Sequence, residues 1–124
     1  MSDAAADTES VHSEAVSAHI SHAVIATYVA AAALEVEGVA GLSAGGFRVF
    51  DRRQDPERAS RGVRVRSDGD RVALELHLVT AWGASIPQVA EEVERQVRAY
   101  LRSMVDLEVS ELAVLVDDVA RPVT

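Results

Sequence analysis

Cysteine is absent from the 124 residues, which excludes disulfides, thiol catalysis and thiolate metal sites. Lysine is absent too: all twelve basic side chains are arginine. One Trp, two Tyr and two Phe make up the aromatics, so any outside a core position stand out. No apolar run approaches the roughly 20 residues that cross a bilayer. The N-terminus carries Asp3, Asp7 and Glu9 where a signal peptide would carry base, and a cytoplasmic location is the expectation. Net charge is −8, which argues against general binding to nucleic acid or anionic lipid. The charge is unevenly spread, however. Eight of the twelve arginines fall between Arg48 and Arg71, among only five of the twenty acids.

What is present centres on residues 62–104. Two alternating runs, Gly62–Arg66 and Arg71–Val79, flank Asp68-Gly69. An Asp-Gly pair between such runs signals a two-residue type I′ hairpin. A turn there sets Val65 opposite Val72 and Val63 opposite Leu74, and it puts Leu76 and Leu78 on the same face. A helix follows: Ser85 is an N-cap with Gln88 at capping-box spacing, and Pro87 lies in the first turn. Ile86, Val89, Ala90, Val93, Val97, Tyr100, Leu101 and Met104 form one apolar stripe.

Residues 1–18 read as a disordered acidic tail. A helix opens at Ile20-Ser21 and runs to Gly38, with Ala23, Val24, Thr27, Ala31 and Leu34 on one face and Ile25, Val29, Ala32 and Val36 beside it. Val39–Ser43 is a short strand candidate and Phe47–Phe50 a weaker one. Residues 51–61 read as a solvated loop. Glu108–Val119 makes the last strand, with Leu112, Val114 and Val116 facing one way and Ala113 and Leu115 the other, and residues 121–124 form a short exit. The fold class is therefore α+β: one domain over residues 19–120. It is a two-layer sandwich in the order α-β-β-β-α-β, with a mixed or antiparallel sheet and both helices on one face.

No constellation for bond chemistry emerges. His12, His19 and His22 lack a rigid third metal ligand, and His77, on an outward strand face near Glu75, lacks a nucleophile at persuasive spacing. Gly38-Val-Ala-Gly41 has the spacing of a KH-type loop, but Glu35 and Glu37 are the wrong charge for gripping a nucleic-acid backbone. No catalytic, cofactor-binding or metal residue is assigned. The outer sheet face, with Arg64, Arg66, Glu75 and His77 beside Ala73, Ala113 and Leu115, is instead a candidate dimer or partner surface. Trp82, Phe47 and Phe50 are aromatics in or beside loops. The candidate interaction residues are Arg48, Arg52, Arg53, Arg64, Arg66, His77, Trp82 and Leu115.

Three stretches resemble the bacterial alkaline-shock, or envelope-stress-response, protein family. The first runs from Ile20-Ser21 through Val24-Ile25-Ala26 to Glu35-Val36-Glu37-Gly38-Val39-Ala40-Gly41-Leu42. The second is Gly62-Val63-Arg64-Val65, then Gly83 with Ile86-Pro87-Gln88-Val89-Ala90. The third is Leu107-Glu108-Val109 leading into Leu112–Val116. They keep the family's order and spacing across residues 18–119. The Arg-rich stretch 48–61 and the lack of lysine depart from its pattern. The resemblance implies a small cytoplasmic, non-enzymatic scaffold or adaptor linked to cell-envelope or alkaline stress. Some members of that family are held at the membrane by a separate membrane-anchored partner and self-association is common among them, so a homo-oligomer with such a partner is the expectation. The alternative from the residues is a module that docks on anionic lipid or another polyanion such as RNA through Arg48–Arg71.

Overall fold

The computed structural model describes residues 9–12, 17–43 and 55–122. Its centre is strand β5, whose neighbours occupy both of its edges. In chain order the elements are β1 (Glu9–His12), β2 (Ser17–Ile20), α1 (His22–Leu34), β3 (Val39–Leu42), α2 (Pro56–Ala59), β4 (Val63–Asp68), β5 (Arg71–Ala81), α3 (Ile86–Val105) and β6 (Val109–Ala120). One edge of β5 carries β4 along its first half and β3 along its second, both antiparallel. The other edge carries β6 in parallel. A parallel neighbour needs a long crossover, and α3 supplies it. The sheet is mixed, and both long helices pack on the face that presents Val63, Val72, Leu74, Leu76 and Leu78. The α+β two-layer class and the element order agree with the sequence expectation.

The hairpin departs from that expectation by two residues. Asp68 pairs with Arg71, Val65 with Leu74 and Val63 with Leu76, so the turn residues are Gly69 and Asp70. Gly69 has φ +68, whereas Asp106 is the sole non-glycine with positive φ among the described residues. Positive φ at the first turn position alone is the type II′ pattern, which favours Gly there. Because the slip is two residues, every side chain keeps its expected face.

Helix α3 buries Val89, Val93, Val97, Leu101 and Val105, a seam at i, i+4 spacing. Ile86 and Met104, expected in that stripe, are exposed at its two ends. Ser85 holds the N-cap position, but its side chain makes no capping hydrogen bond. Tyr100 packs against Tyr28 of α1 at 6.0 Å between ring centroids. Ser21 caps α1 as expected, accepting from the Val24 N–H at 3.2 Å. Of the two apolar rows of α1, the one with Ile25, Val29 and Ala32 turns inward together with Ala26, Ala30 and Ala33, while Ala23 and Val24 face out. The helix is apolar almost all round, so its hydrophobic pattern specifies no side and packing chooses one.

The α1 helix ends at Leu34, short of the expected Gly38. Gly38 does a different job in the turn into β3. Its φ is +100, and an added Cβ would lie 2.6 Å from Val89 Cγ2 and 3.3 Å from Ala84 Cβ. Its carbonyl accepts from the Ala81 N–H at 2.8 Å. The turn after α1, the end of β5 and the start of α3 thus meet at a residue with no side chain.

Two other stretches carry more structure than expected. Residues 9–12 and 17–20 pair as antiparallel strands, with Val11 opposite Ala18, within the expected tail. Within the expected loop 51–61, Asp55 caps α2 by accepting from the Arg58 N–H at 2.7 Å, a single Ser60–Gly62 3₁₀ turn follows, and Ala59 is buried in the core. One methyl group is enough to anchor that stretch. The Phe47–Phe50 strand candidate lies outside the described residues.

Gly38→Ala is expected to lower stability by about 2 kcal/mol, since overpacking adds to φ strain. Gly83→Ala, with φ +90 but nothing within 4 Å, should cost only the strain, on the order of 1 kcal/mol. Urea unfolding of the two variants separates the effects. Thr80 is fully buried with its Oγ1 unpartnered. Thr80→Val should therefore raise the urea midpoint by an amount equivalent to about 1 kcal/mol, as an unmade buried hydrogen bond is removed.

Candidate interaction surface

Register decides which side chains share the helix-free face of the sheet. Reading from β4 across β5 to β6, Arg66, Ala73 and Glu111 form one row, and Arg64, Glu75 and Ala113 form the next. His77 lies beside Leu115 in a third. The face is cationic along β4, anionic along β6 and lowest where the alanines sit. A depression of about 560 Å³ opens there, lined by Arg64, Arg66, Ala73, Glu75, Glu111 and Ala113. Arg66 reaches over Ala73 to Glu111, Nη2 to Oε1 3.6 Å, with both side chains largely exposed. A larger residue at 73 would block that reach, since the two strands are about 10 Å apart, twice the strand spacing.

The observed register sets Arg64 directly opposite Glu75, an obvious cross-strand pair. The structure resolves it otherwise. Glu75 Oε2 accepts from His77 Nε2 at 2.7 Å, and Asp117 Oδ2 accepts from His77 Nδ1 at 3.0 Å. Two carboxylates on the two ring nitrogens favour the doubly protonated ring, in which both nitrogens donate. The Glu75 hydrogen bond is the main cause that raises the His77 pKa above the ordinary 6.5, with Asp117 adding to it and partial burial opposing it. Among the described residues no acid is left paired with Arg64.

Four of the expected interaction residues, Arg64, Arg66, His77 and Leu115, therefore share one face, and Leu115 is 40% exposed. Trp82 stands apart in the turn between β5 and α3, 57% exposed, with the Arg121 guanidinium 4.8 Å from its ring centroid. Arg48, Arg52 and Arg53 lie outside the described residues. Sequence reasoning missed Glu111 and Asp117 as members of the site. Nothing in the local pattern of β6 ties them to β4 or β5, because a parallel register is set through a distant helix.

The other candidates resolve differently. His22 Nε2 lies 3.1 Å from Ser67 Oγ, while the side chains of His12 and His19 lie outside the described residues. No group of three or more His, Asp or Glu side chains suited to a metal occurs among the described residues. Residues 39–41 of the Gly38–Gly41 motif belong to strand β3, bonded to β5, so the motif is no free loop. A second groove joins Glu35, Glu37 and Gly38 to Ser85, Gln88 and Glu92. Two of the stretches that carry the family resemblance meet in it, and the close approach at Gly38 explains their proximity. No helix among the described residues is long and apolar enough to cross a membrane.

Comparison with known proteins then decides the family. The sequence matches the alkaline shock protein 23 family, described as having a cell envelope-related function, over residues 10–121. The chain belongs to this family. Among its relatives, the uncharacterized protein YloU of Bacillus subtilis (strain 168) is 28% identical over 105 residues, spanning 81% of this chain and 85% of that protein. The uncharacterized protein YqhY of the same organism is 30% identical over 89 residues, spanning 72% of this chain and 66% of that protein. A solved MamM CTD variant in a zinc form has a similar fold, with a TM-score of 0.50 at 16% identity, covering 76% of this chain and 81% of that one. That likeness concerns the fold alone. In this member of the alkaline shock protein family, the sheet presents a mixed-charge face and a histidine clasped by two acids.

The histidine makes a pH prediction. A raised pKa in the folded state stabilises the fold fully below the unfolded value of about 6.5, and that stabilisation is lost as pH rises through the higher folded value. His77→Gln should remove it. The difference in urea midpoint between parent and variant is expected to be largest near pH 5.5 and to shrink steadily toward pH 9.

Proposed function

We propose that this chain is a non-catalytic scaffold serving the cell envelope from the cytoplasmic side. It self-associates through its helix-free sheet face and docks on a membrane-linked protein partner. The family's cell envelope-related function supports the setting. The observation that carries the mode of action is the sheet face itself, where Ala73, Ala113 and Leu115 lie among charges of both signs that no helix among the described residues covers. A mixed, partly apolar surface of this kind suits a specific protein contact. His77, the titratable group a catalytic reading would enlist, spends both ring nitrogens on Glu75 and Asp117, which favours a structural part for it.

A polyanion-binding role would require a single cationic field. Among the described arginines of the 48–71 stretch, Arg66 lies by Glu111 and Arg71 by Glu108 at 3.7 Å, which interleaves acids with those cations. The scaffold reading is therefore the stronger.

Light scattering on the full chain at tens of micromolar is expected to give a dimer or larger assembly. Leu115→Asp should weaken association at least tenfold, about 1.4 kcal/mol, with the thermal midpoint little changed. In cells, the protein should fractionate with membranes and be released when its partner is deleted. A strict monomer in vitro, with no membrane-associated pool, would overturn the proposal.

A further inference from the structure

The two cationic side chains on one flank of the sheet face and the acids on the other constrain how two copies could meet. We propose that the face packs on the same face of a second copy about a two-fold axis parallel to β5, with Arg64 and Arg66 of each copy over the partner's β6 and its Glu111. This rests on the self-association reading above and goes beyond it by fixing the orientation and the contacts.

The argument begins with geometry. Sheets that pack face to face keep their strands roughly aligned, within about 30°, at a separation near 10 Å. A closed pair built from one patch needs a two-fold axis lying between the sheets. With the axis across the strands, β4 lies on β4 and β6 on β6. Arginines then face arginines and Glu111 and Asp117 face acids, an arrangement that like-charge contact opposes. With the axis along the strands the face turns over from side to side while each row stays level. The row Arg66–Ala73–Glu111 then meets itself reversed, so Arg66 lies over the partner's Glu111 and Glu111 under the partner's Arg66. The charge pattern selects the second arrangement.

Shape agrees with charge. In the next row, Arg64 comes down over the partner's Ala113, into the depression of about 560 Å³ that the small residues leave, one row from the partner's Glu111. Arg64 has no acid paired with it among the described residues, because Glu75 is engaged by His77. Ala73 lies on the axis and lets the two sheets approach. Glu75 meets its own copy there, and the hydrogen bond from His77 draws its carboxylate along the strand.

Charge exchange tests this on the full chain, read by light scattering over a dilution series. Arg66→Glu and Glu111→Arg alter side chains that are 69% and 73% exposed, so both variants should fold, and thermal midpoints check that they do. Each alone is expected to associate at least tenfold more weakly than the parent, because all four facing charges acquire one sign. An equimolar mixture of the two should regain parent-like dimers, since every facing pair is again opposite. Three outcomes would overturn the orientation. Parent-like dimers from each variant alone would place the interface elsewhere, leaving self-association intact. Tighter dimers from either single variant would indicate the across-strand axis. No recovery in the mixture would separate Arg66 from the partner's Glu111. A parent chain that is monomeric throughout defeats this inference together with the reading on which it rests.

Discussion

Hydrogen bonding along both edges of β5 is the constraint on which the other features depend. A strand paired on both sides is committed to one register with each neighbour, and its alternation then decides what every neighbour buries. Val72, Leu74, Leu76 and Leu78 point to the helices, so Ala73, Glu75 and His77 must point away. The parallel pairing with β6 follows from the length of α3, which returns the chain to the end of the sheet where β5 began. From that pairing come the neighbours of His77 and the reach of Arg66 across Ala73. Core and surface are two sides of one strand.

The two long helices cover the same sheet face by different means. In α3 a single seam of valines and Leu101 is buried and the charges lie off it, with Glu92 and Glu94 paired to Arg95 and Arg98. Arg98 also donates to the Val109 carbonyl at 2.8 Å, tying helix to strand where β6 begins. In α1 the inward side is small, largely alanine, so the backbone can come close to the sheet. Small side chains bury little area each, yet they permit close packing, and at Gly38 even a methyl group is excluded.

On the outer face the charges are arranged rather than scattered. An isolated exposed ion pair such as Arg66–Glu111 contributes little to stability, roughly 0–1 kcal/mol. Its position matters more than its strength. Cations on one flank, acids on the other and a low centre give the face a polarity that any partner must match.

Much of this was legible in advance where the signal is local. The hairpin faces, the Ser21 cap, the seam of α3 and the alternation of β6 depend on neighbouring residues and on the periods of helix and strand, which one stretch of sequence can show. The turn type at Gly69-Asp70 was misplaced because Asp68-Gly69 offers a good turn as well, and only the full ladder chooses between them. The orientation of α1 was not legible, since an apolar surface all round carries no directional information. Glu75 beside His77 was legible, but the Asp117 half of the clasp was not, because residues 40 apart in sequence are brought together only by a parallel register. By itself, then, the sequence determined the elements, their order and the faces of the strands, because those follow from local periodicity. The tertiary structure decided which charges meet, because that depends on strands aligned through a helix whose length, not its pattern, sets the register.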